Sequence, residues 1–260
     1  MIVKLLNEII LKEEETKRSK PEEISHWRSS GLGTCMRGRF LHRLLSGTGI
    51  RPEPDARTLR VFEIGNQVED WLVKNLEKHP QYRLLTQVEF FEPYYNLSGH
   101  CDGILYEEGV IGSGIMLECK SKHSKAFWYM DKKGEGAQIH HKMQLHSYLY
   151  MLAKHGGTLS DGRKLPPRTI ETGYIVYVSK DDMAMLEYPV FLNDSELEKM
   201  WKFEIQTLNN CWDAHTAPPK NEEGSWQEKY CDYCKAGLCQ QLTDERVEEL
   251  FKIKHAPLAE

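Results

Sequence analysis

The chain lacks any apolar run approaching a membrane span, which takes about 20 residues in a helix. It also lacks a basic balance, with a net charge of −5 at pH 7. Bulk attraction to polyanions is thereby excluded, and local charge must do any such work. No internal repeat occurs, and no Gly-rich loop ends in Gly-Lys-Ser or Gly-Lys-Thr. A nucleoside-triphosphate-binding P-loop is therefore not expected. No small-residue cleavage site follows the apolar stretch 1–11, which runs instead into Glu13-Glu14-Glu15. That stretch is expected to be an amphipathic helix of the fold and not a leader, with the cytoplasm as the expected location.

What is present is an ordinary globular composition, 40% hydrophobic and 28% charged over 260 residues. This is enough for one large domain, or a core domain with an appendage. Helical spacing dominates residues 1 to about 80, interrupted at Ile50-Arg51-Pro52-Glu53-Pro54. Strand-like runs follow at 84–91, 97–106 and 115–120, separated by Pro93 and by Gly109, Gly112 and Gly114, and they predict an antiparallel meander. A helix is predicted over 139–155, closed by Gly156-Gly157 as a left-handed cap. Strands at 172–178 and 183–190 and a helix over 195–212 complete the reading. Residues 213–229, with Ala217-Pro218-Pro219, read as a linker.

Chemistry concentrates first around Asp102, in Ser98-Gly99-His100-Cys101-Asp102-Gly103, and around Glu118 and Lys120 in Leu117-Glu118-Cys119-Lys120. Side chains alternate along a strand, so Glu118 and Lys120 share one face while Ile115, Leu117 and Cys119 share the other. Two carboxylates with a lysine beside them suit Mg2+ or Mn2+ next to a phosphodiester. Short motifs of this kind are more often solvated surface pairs, so Glu-x-Lys by itself decides little. The run from Lys120 to Lys142 is rich in Lys and His. Most such runs are solvated loops, but this one begins at the candidate strand, which favours contact with a polyanion.

The second concentration is Cys231-Asp232-Tyr233-Cys234-Lys235-Ala236-Gly237-Leu238-Cys239. Three thiols so closely spaced among polar residues point to a soft metal centre rather than to core packing. Seven cysteines, an odd number, likewise argue against a secreted disulfide framework. A fourth ligand is needed. Cys101 and Cys119 read as small buried hydrophobes, Cys211 is compatible with either role, and Cys35 lies in a turn before a helix, accessible as a ligand. Spacing does not separate zinc from an iron-sulfur cluster.

With both constellations on the page, the chain resembles the iron-sulfur, RecB-like branch of the PD-(D/E)XK nucleases, as in the Cas four nucleases of CRISPR adaptation and the nuclease domains of RecB and AddB. The matching elements, in order, are Cys35; Gly65-Asn66-Gln67-Val68-Glu69; Gly99-His100-Cys101-Asp102-Gly103; Glu118-Cys119-Lys120; Gln144-Leu145-His146-Ser147-Tyr148; and the tail cysteines. Position 69 is Glu where the CRISPR-associated members often have His. The resemblance implies an α/β fold with a restriction-endonuclease-like mixed sheet flanked by helices. It implies an N-terminal helical region over 1–55, a nuclease core over 56–212, and a linker and cluster segment over 213–260.

A 4Fe-4S cluster held by Cys35, Cys231, Cys234 and Cys239 would join the N-terminal region to the tail. Asp102 and Glu118 would bind Mg2+ or Mn2+, with the Cys119 carbonyl and Glu69 as further ligands and Lys120 as the catalytic lysine. Gln144 and Tyr148, at i and i+4, would share a helix face and support the site. The implied activity is exonucleolytic cleavage of DNA, single-stranded or with free ends. Implied partners are a helicase or a CRISPR-adaptation or recombination protein, with no membrane association and with homo-oligomers open. The rivals are a non-catalytic DNA-end binding or scaffolding subunit and a zinc protein of nucleic-acid metabolism. Trp226, Tyr230 and Tyr233 could stack on bases but are expected to shield the cluster.

Overall fold

The computed structural model describes residues 1–18, 23–48, 50–107 and 114–255, with the Arg18 side chain not among them. The glycines placed between two strands by sequence at 109 and 112 lie outside these residues. In chain order the elements begin with α1 (Ile2–Arg18), β1 (Trp27–Arg28), a 3-10 turn (Ser29–Gly31), α2 (Met36–Leu44) and α3 (Ala56–Leu76). Three long strands follow, β2 (Tyr82–Glu92), β3 (Leu97–Glu107) and β4 (Ile115–Lys122), then α4 (Ser124–Lys132) and α5 (Ile139–His155). After them come β5 (Gly157–Thr158), β6 (Lys164–Leu165), β7 (Thr172–Ser179), β8 (Met185–Phe191) and α6 (Ser195–Asp213). The tail forms α7 (Trp226–Tyr230), α8 (Asp232–Lys235) and α9 (Asp244–Lys254).

These strands make an eight-stranded sheet in the order β6-β5-β2-β3-β4-β7-β8, with β1 pairing to β3. The predicted meander is present, since β2 and β3 pair antiparallel from Tyr82↔Glu107 to Glu92↔Leu97, and β3 pairs antiparallel with β4. The exception to the antiparallel pattern along this path is β4 with β7, which run parallel from Met116↔Gly173 to Lys122↔Ser179. Parallel neighbours need a long crossover, and here it carries α4 and α5.

The chain divides into two compact units. One comprises residues 28–32 and 63–203, and the other residues 1–27, 33–62 and 204–260. In the sheet-bearing unit, Val88, Leu97, Ile104, Met116, Leu145, Leu149 and Ile175 are fully buried. Each contributes about 1.5–3 kcal/mol by leaving water. α5 buries residues all round, from His141 to Leu152, which explains a sequence that is not cleanly amphipathic. Its stop is glycine as predicted, but Gly156 has φ 76° and ψ −155°, outside the left-handed helical region and in one essentially reserved to glycine. A Cβ there would stand 2.1 Å from the Leu165 carbonyl oxygen.

The other unit has an aromatic core. The Arg43 guanidinium lies 4.5 Å from the Trp27 ring centroid and 4.0 Å from that of Trp212, while Phe40 and Phe251 pack edge-on against Trp212. Stacking suits a guanidinium because it is planar and weakly hydrated. Nearby, the buried Arg39 pairs with Glu204, whose second oxygen accepts the Gly33 N–H at 2.9 Å.

Candidate active site and metal centre

β4 positions the first group of residues. Its Cys119 face packs into a small apolar cluster with Val68 and Leu72 of α3 and Val176 and Val178 of β7. The alternation of the strand then carries Glu118 and Lys120 to the opposite side. Glu118 is 2% exposed, and its Oε1 accepts from Lys120 Nζ at 2.6 Å and from Gln144 Nε2 at 2.6 Å. Gln144 also donates to the Tyr148 hydroxyl at 2.9 Å, so the predicted i, i+4 pair on α5 acts as one bracket over a buried carboxylate. Glu118 Oε2 is equally buried and has no hydrogen-bond partner among the described residues.

Asp102, on β3, is also buried. Its Oδ2 accepts the Cys119 N–H at 2.6 Å, which ties β3 to β4 at the level of the site. Burial and the neighbouring Glu118 push the Asp102 carboxyl up to about 8. Burial also raises Glu118, against the pull of Lys120. Burial would depress Lys120, but Glu118 and Asp102 outweigh it and hold the ammonium above its ordinary range. Carboxylates that resist ionisation because they share a dry place are stabilised when a cation joins them.

Glu69, on α3, completes the acidic set. Burial and Asp102 raise its pKa, and Gln87 Nε2 donates to its Oε1 at 2.9 Å. Gln87 was not singled out by sequence. It stands opposite Asp102, at the position that the β2–β3 ladder skips between Thr86↔Gly103 and Val88↔Cys101, and it has φ 50°. A non-glycine residue in the left-handed region costs about 1–2 kcal/mol, and such strain clusters at functional sites. His100 is exposed. Cys101 and Cys119 are buried, as expected of small hydrophobes, and burial pushes their thiols up, Cys119 to about 12.

The second group gathers Cys35, Cys231, Cys234 and Cys239, whose Sγ atoms all lie within 4.8 Å of one another. Among the described residues the carboxylates of Glu69, Asp102 and Glu118 do not close to that spacing as a trio. Cys35 is the N-cap of α2, where its Sγ accepts the Gly38 N–H at 3.4 Å. Gly38 is required for close approach, because a Cβ there would meet Cys231 Sγ at 2.5 Å. Arg37 fastens the tail, donating to the carbonyls of Pro218, Cys239 and Leu242 at 2.8 Å each. Hydrogen bonds from Cys231 and Cys239 pull the Cys35 thiol far below its usual range, whereas burial pushes Cys234 up to about 12. Tyr233 is buried against His42, but Tyr230 is 70% exposed. The shielding expected of all three aromatics therefore does not extend to Tyr230 or to Trp226, both of which the one-turn α7 leaves exposed.

Four cysteines can hold a metal, and their number suits either a single ion or a 4Fe-4S cluster. Three of the sulfur separations are 3.7, 3.9 and 4.0 Å. A single tetrahedral ion with metal–sulfur bonds of about 2.3 Å holds its sulfurs about 3.8 Å apart. A four-iron cluster puts its irons between the sulfurs and spreads them wider.

No protein-family model matches the chain, and no curated protein matches it. Among solved structures it is similar to the crystal structure of SSO0001, at 21% identity and a TM-score of 0.47, over 90% of this chain and 94% of that one. No helix among the described residues is long and apolar enough to cross a membrane.

Proposed function

We propose that the protein is a metal-dependent deoxyribonuclease of the PD-(D/E)XK type, acting on single-stranded DNA or DNA ends. The observation that carries this reading is the buried Glu118, held by Lys120 and Gln144 through one oxygen and leaving the other unpartnered beside Asp102. In this reading Asp102 and Glu118 hold Mg2+ or Mn2+, with Glu69 and the Cys119 carbonyl as further donors. When bound, such an ion neutralises charge on the phosphoryl oxygens and lowers the pKa of water. Lys120 then serves as a fixed positive charge aimed at the charge that develops during phosphodiester cleavage. Gln144 holds Glu118 in orientation, and Tyr148 holds Gln144. Outer partners of this kind fix the direction of a ligand oxygen.

The pathway suggested by the resemblance is DNA processing in recombination or CRISPR adaptation, in the cytoplasm, with a helicase or adaptation protein as partner. The deciding experiment is Mn2+-dependent digestion of end-labelled oligonucleotides with free 5′ or 3′ ends. Lys120→Ala is expected to lose cleavage by about three orders of magnitude, or about 4 kcal/mol, while still binding the oligonucleotide. Full activity in that variant would sink the reading, and binding without cleavage by the wild type would favour a scaffolding subunit.

For the cysteines the resemblance implies a structural 4Fe-4S cluster. The observed sulfur spacing favours a second reading, a single tetrahedral ion such as Zn2+. Anaerobic purification with iron, sulfide and zinc analysis separates the two: a brown protein with iron and sulfide in equal amounts supports the cluster, and a colourless protein with one zinc supports the ion.

A further inference from the structure

β4 continues beyond the carboxylate site. Lys122 follows Lys120 by two residues, so it lies on the same face, one strand repeat of about 6.7 Å farther along. Its Nζ donates to Gln138 Oε1 at 2.6 Å. Gln138 is the N-cap of α5, yet its side chain makes no capping bond among the described residues, so its amide oxygen serves Lys122 and not its own helix. Across the parallel ladder the Lys122 carbonyl accepts the Lys180 N–H at 2.7 Å, which brings the backbone of another lysine alongside, near enough for its charge to act on Lys122. The first turn of α5 adds His140, whose ring lies 4.0 Å from that of His141, and His141 Nδ1 meets the Tyr177 hydroxyl at 2.7 Å.

Cationic side chains thus collect where β4, β7 and the positive end of the α5 dipole come together. Two acids follow Lys180: Asp181 accepts the Ser124 N–H at 2.7 Å, and Asp182 accepts the Ala184 N–H at 3.3 Å. Glu118 is bracketed by Lys120 and Gln144. Burial, with Lys120 and Lys180 close by, lowers Lys122 to about 8. Burial, with Lys122 and Lys120, lowers His140 to about 4. His140 is then a neutral donor near pH 7, while lysines held close together are costly alone and are stabilised by an anion, to which they donate charge-assisted hydrogen bonds.

We propose that Lys122 and Lys180, with His140 beside them, bind the phosphate adjacent to the one presented to Asp102 and Glu118, the ligand being the phosphodiester backbone of a single nucleic-acid strand. The proposal rests on the nuclease reading and gives it a direction, with the bound strand continuing along β4 toward the start of α5.

The test is equilibrium binding of a fluorescein-labelled oligothymidylate to the full chain, with Ca2+ replacing Mn2+ to suppress cleavage, over a series of salt concentrations. Lys122→Gln is expected to weaken binding about ten-fold at low salt, the loss of one charged hydrogen bond. The slope of log Kd against log salt should fall by about 0.7, one phosphate contact on a single strand. Lys122→Arg keeps the charge and should bind near the wild-type level. Lys180→Gln should move Kd and slope in the same direction as Lys122→Gln, and it carries the test if Lys122→Gln melts early. Wild-type affinity and slope in a folded Lys122→Gln and in Lys180→Gln would overturn the subsite while leaving Mn2+-dependent cleavage intact. A wild type that neither binds nor cleaves oligonucleotides would overturn the nuclease reading and the subsite together.

Discussion

The carboxylate cluster and the cysteine cluster solve opposite problems. Around Asp102 and Glu118, acids are forced together in a dry place, their pKa values rise, and a buried oxygen is left without a partner among the described residues. Around Cys35 the sulfurs already touch one another, and the helix beneath them has given up a side chain at Gly38 to let Cys231 in. The first arrangement is electrostatically unsatisfied, a state that a hard cation would relieve. The second draws position 35 onto positions 231–239, so that its metal would close a very long loop of chain. On the proposed reading, one cluster would act on a ligand and the other would hold a shape.

The sharpest way to break that contrast is at the cysteines. On the reading that the cysteines hold a metal, Cys234→Ala should release it and cost a large part of the stability of its unit, since binding by a four-cysteine site of this kind can supply about 10–16 kcal/mol in small domains. Circular-dichroism melts with metal analysis would show a large fall in Tm, and an unchanged melt would remove the distinction.

Asp102→Asn should do the reverse. Mn2+-dependent cleavage should fall by about three orders of magnitude, about 4 kcal/mol, while the metal-free protein loses no stability at neutral pH. The sign follows from the Asp102 carboxyl, which rises from 3.8 unfolded to about 8 folded. Between those values the unfolded chain has released a proton that the folded chain retains, so stability falls as pH rises toward 8 and levels off above it. Melts from pH 4 to 9 should show that fall in the wild type and a flatter profile in Asp102→Asn. Mn2+ should raise the wild-type Tm more at pH 8 than at pH 5.

The smallest expected effect is at Gln87. Gln87→Gly relieves a left-handed backbone at the expense of unfolded-state entropy, for a net gain of no more than about 1 kcal/mol, and it frees Glu69. A slightly higher Tm together with a several-fold weaker Mn2+ dependence of cleavage is expected. Loss of stability without any change in metal dependence would make Gln87 a plain structural residue.

Much of this was legible in sequence because the periodicities were strong. The helix Ile139–His155 has the limits its spacing predicts, and β3, β4 and β7 lie where apolar runs stand between turns. α4 was missed inside a lysine-rich run read chiefly as loop. Its signal was there in Phe127 and Met130, both buried one turn apart, but its N-cap is His123, which is not a favoured capping residue. The two-residue strands β5 and β6 are too short to show a period. Gln87 could not have been found, because neither the sign of a backbone angle nor the reach of a side chain from β2 to α3 is written in local sequence. The carboxylates were readable as a motif, but their depth was not, since burial depends on how α5 packs over β4.

The parallel pairing of β4 with β7 bears on the order of events during folding. β3 can find β4 across a short connection, but β4 reaches β7 only after residues 123–171 have been gathered, and such non-local closure is slow. Gln144 and Tyr148 lie within that crossover. Of the two side chains that bracket Glu118, Lys120 comes with its own strand, whereas Gln144 reaches it only once that crossover has folded back over β4. Full burial of Glu118, and the rise in its pKa that burial causes, therefore depends on completion of the crossover.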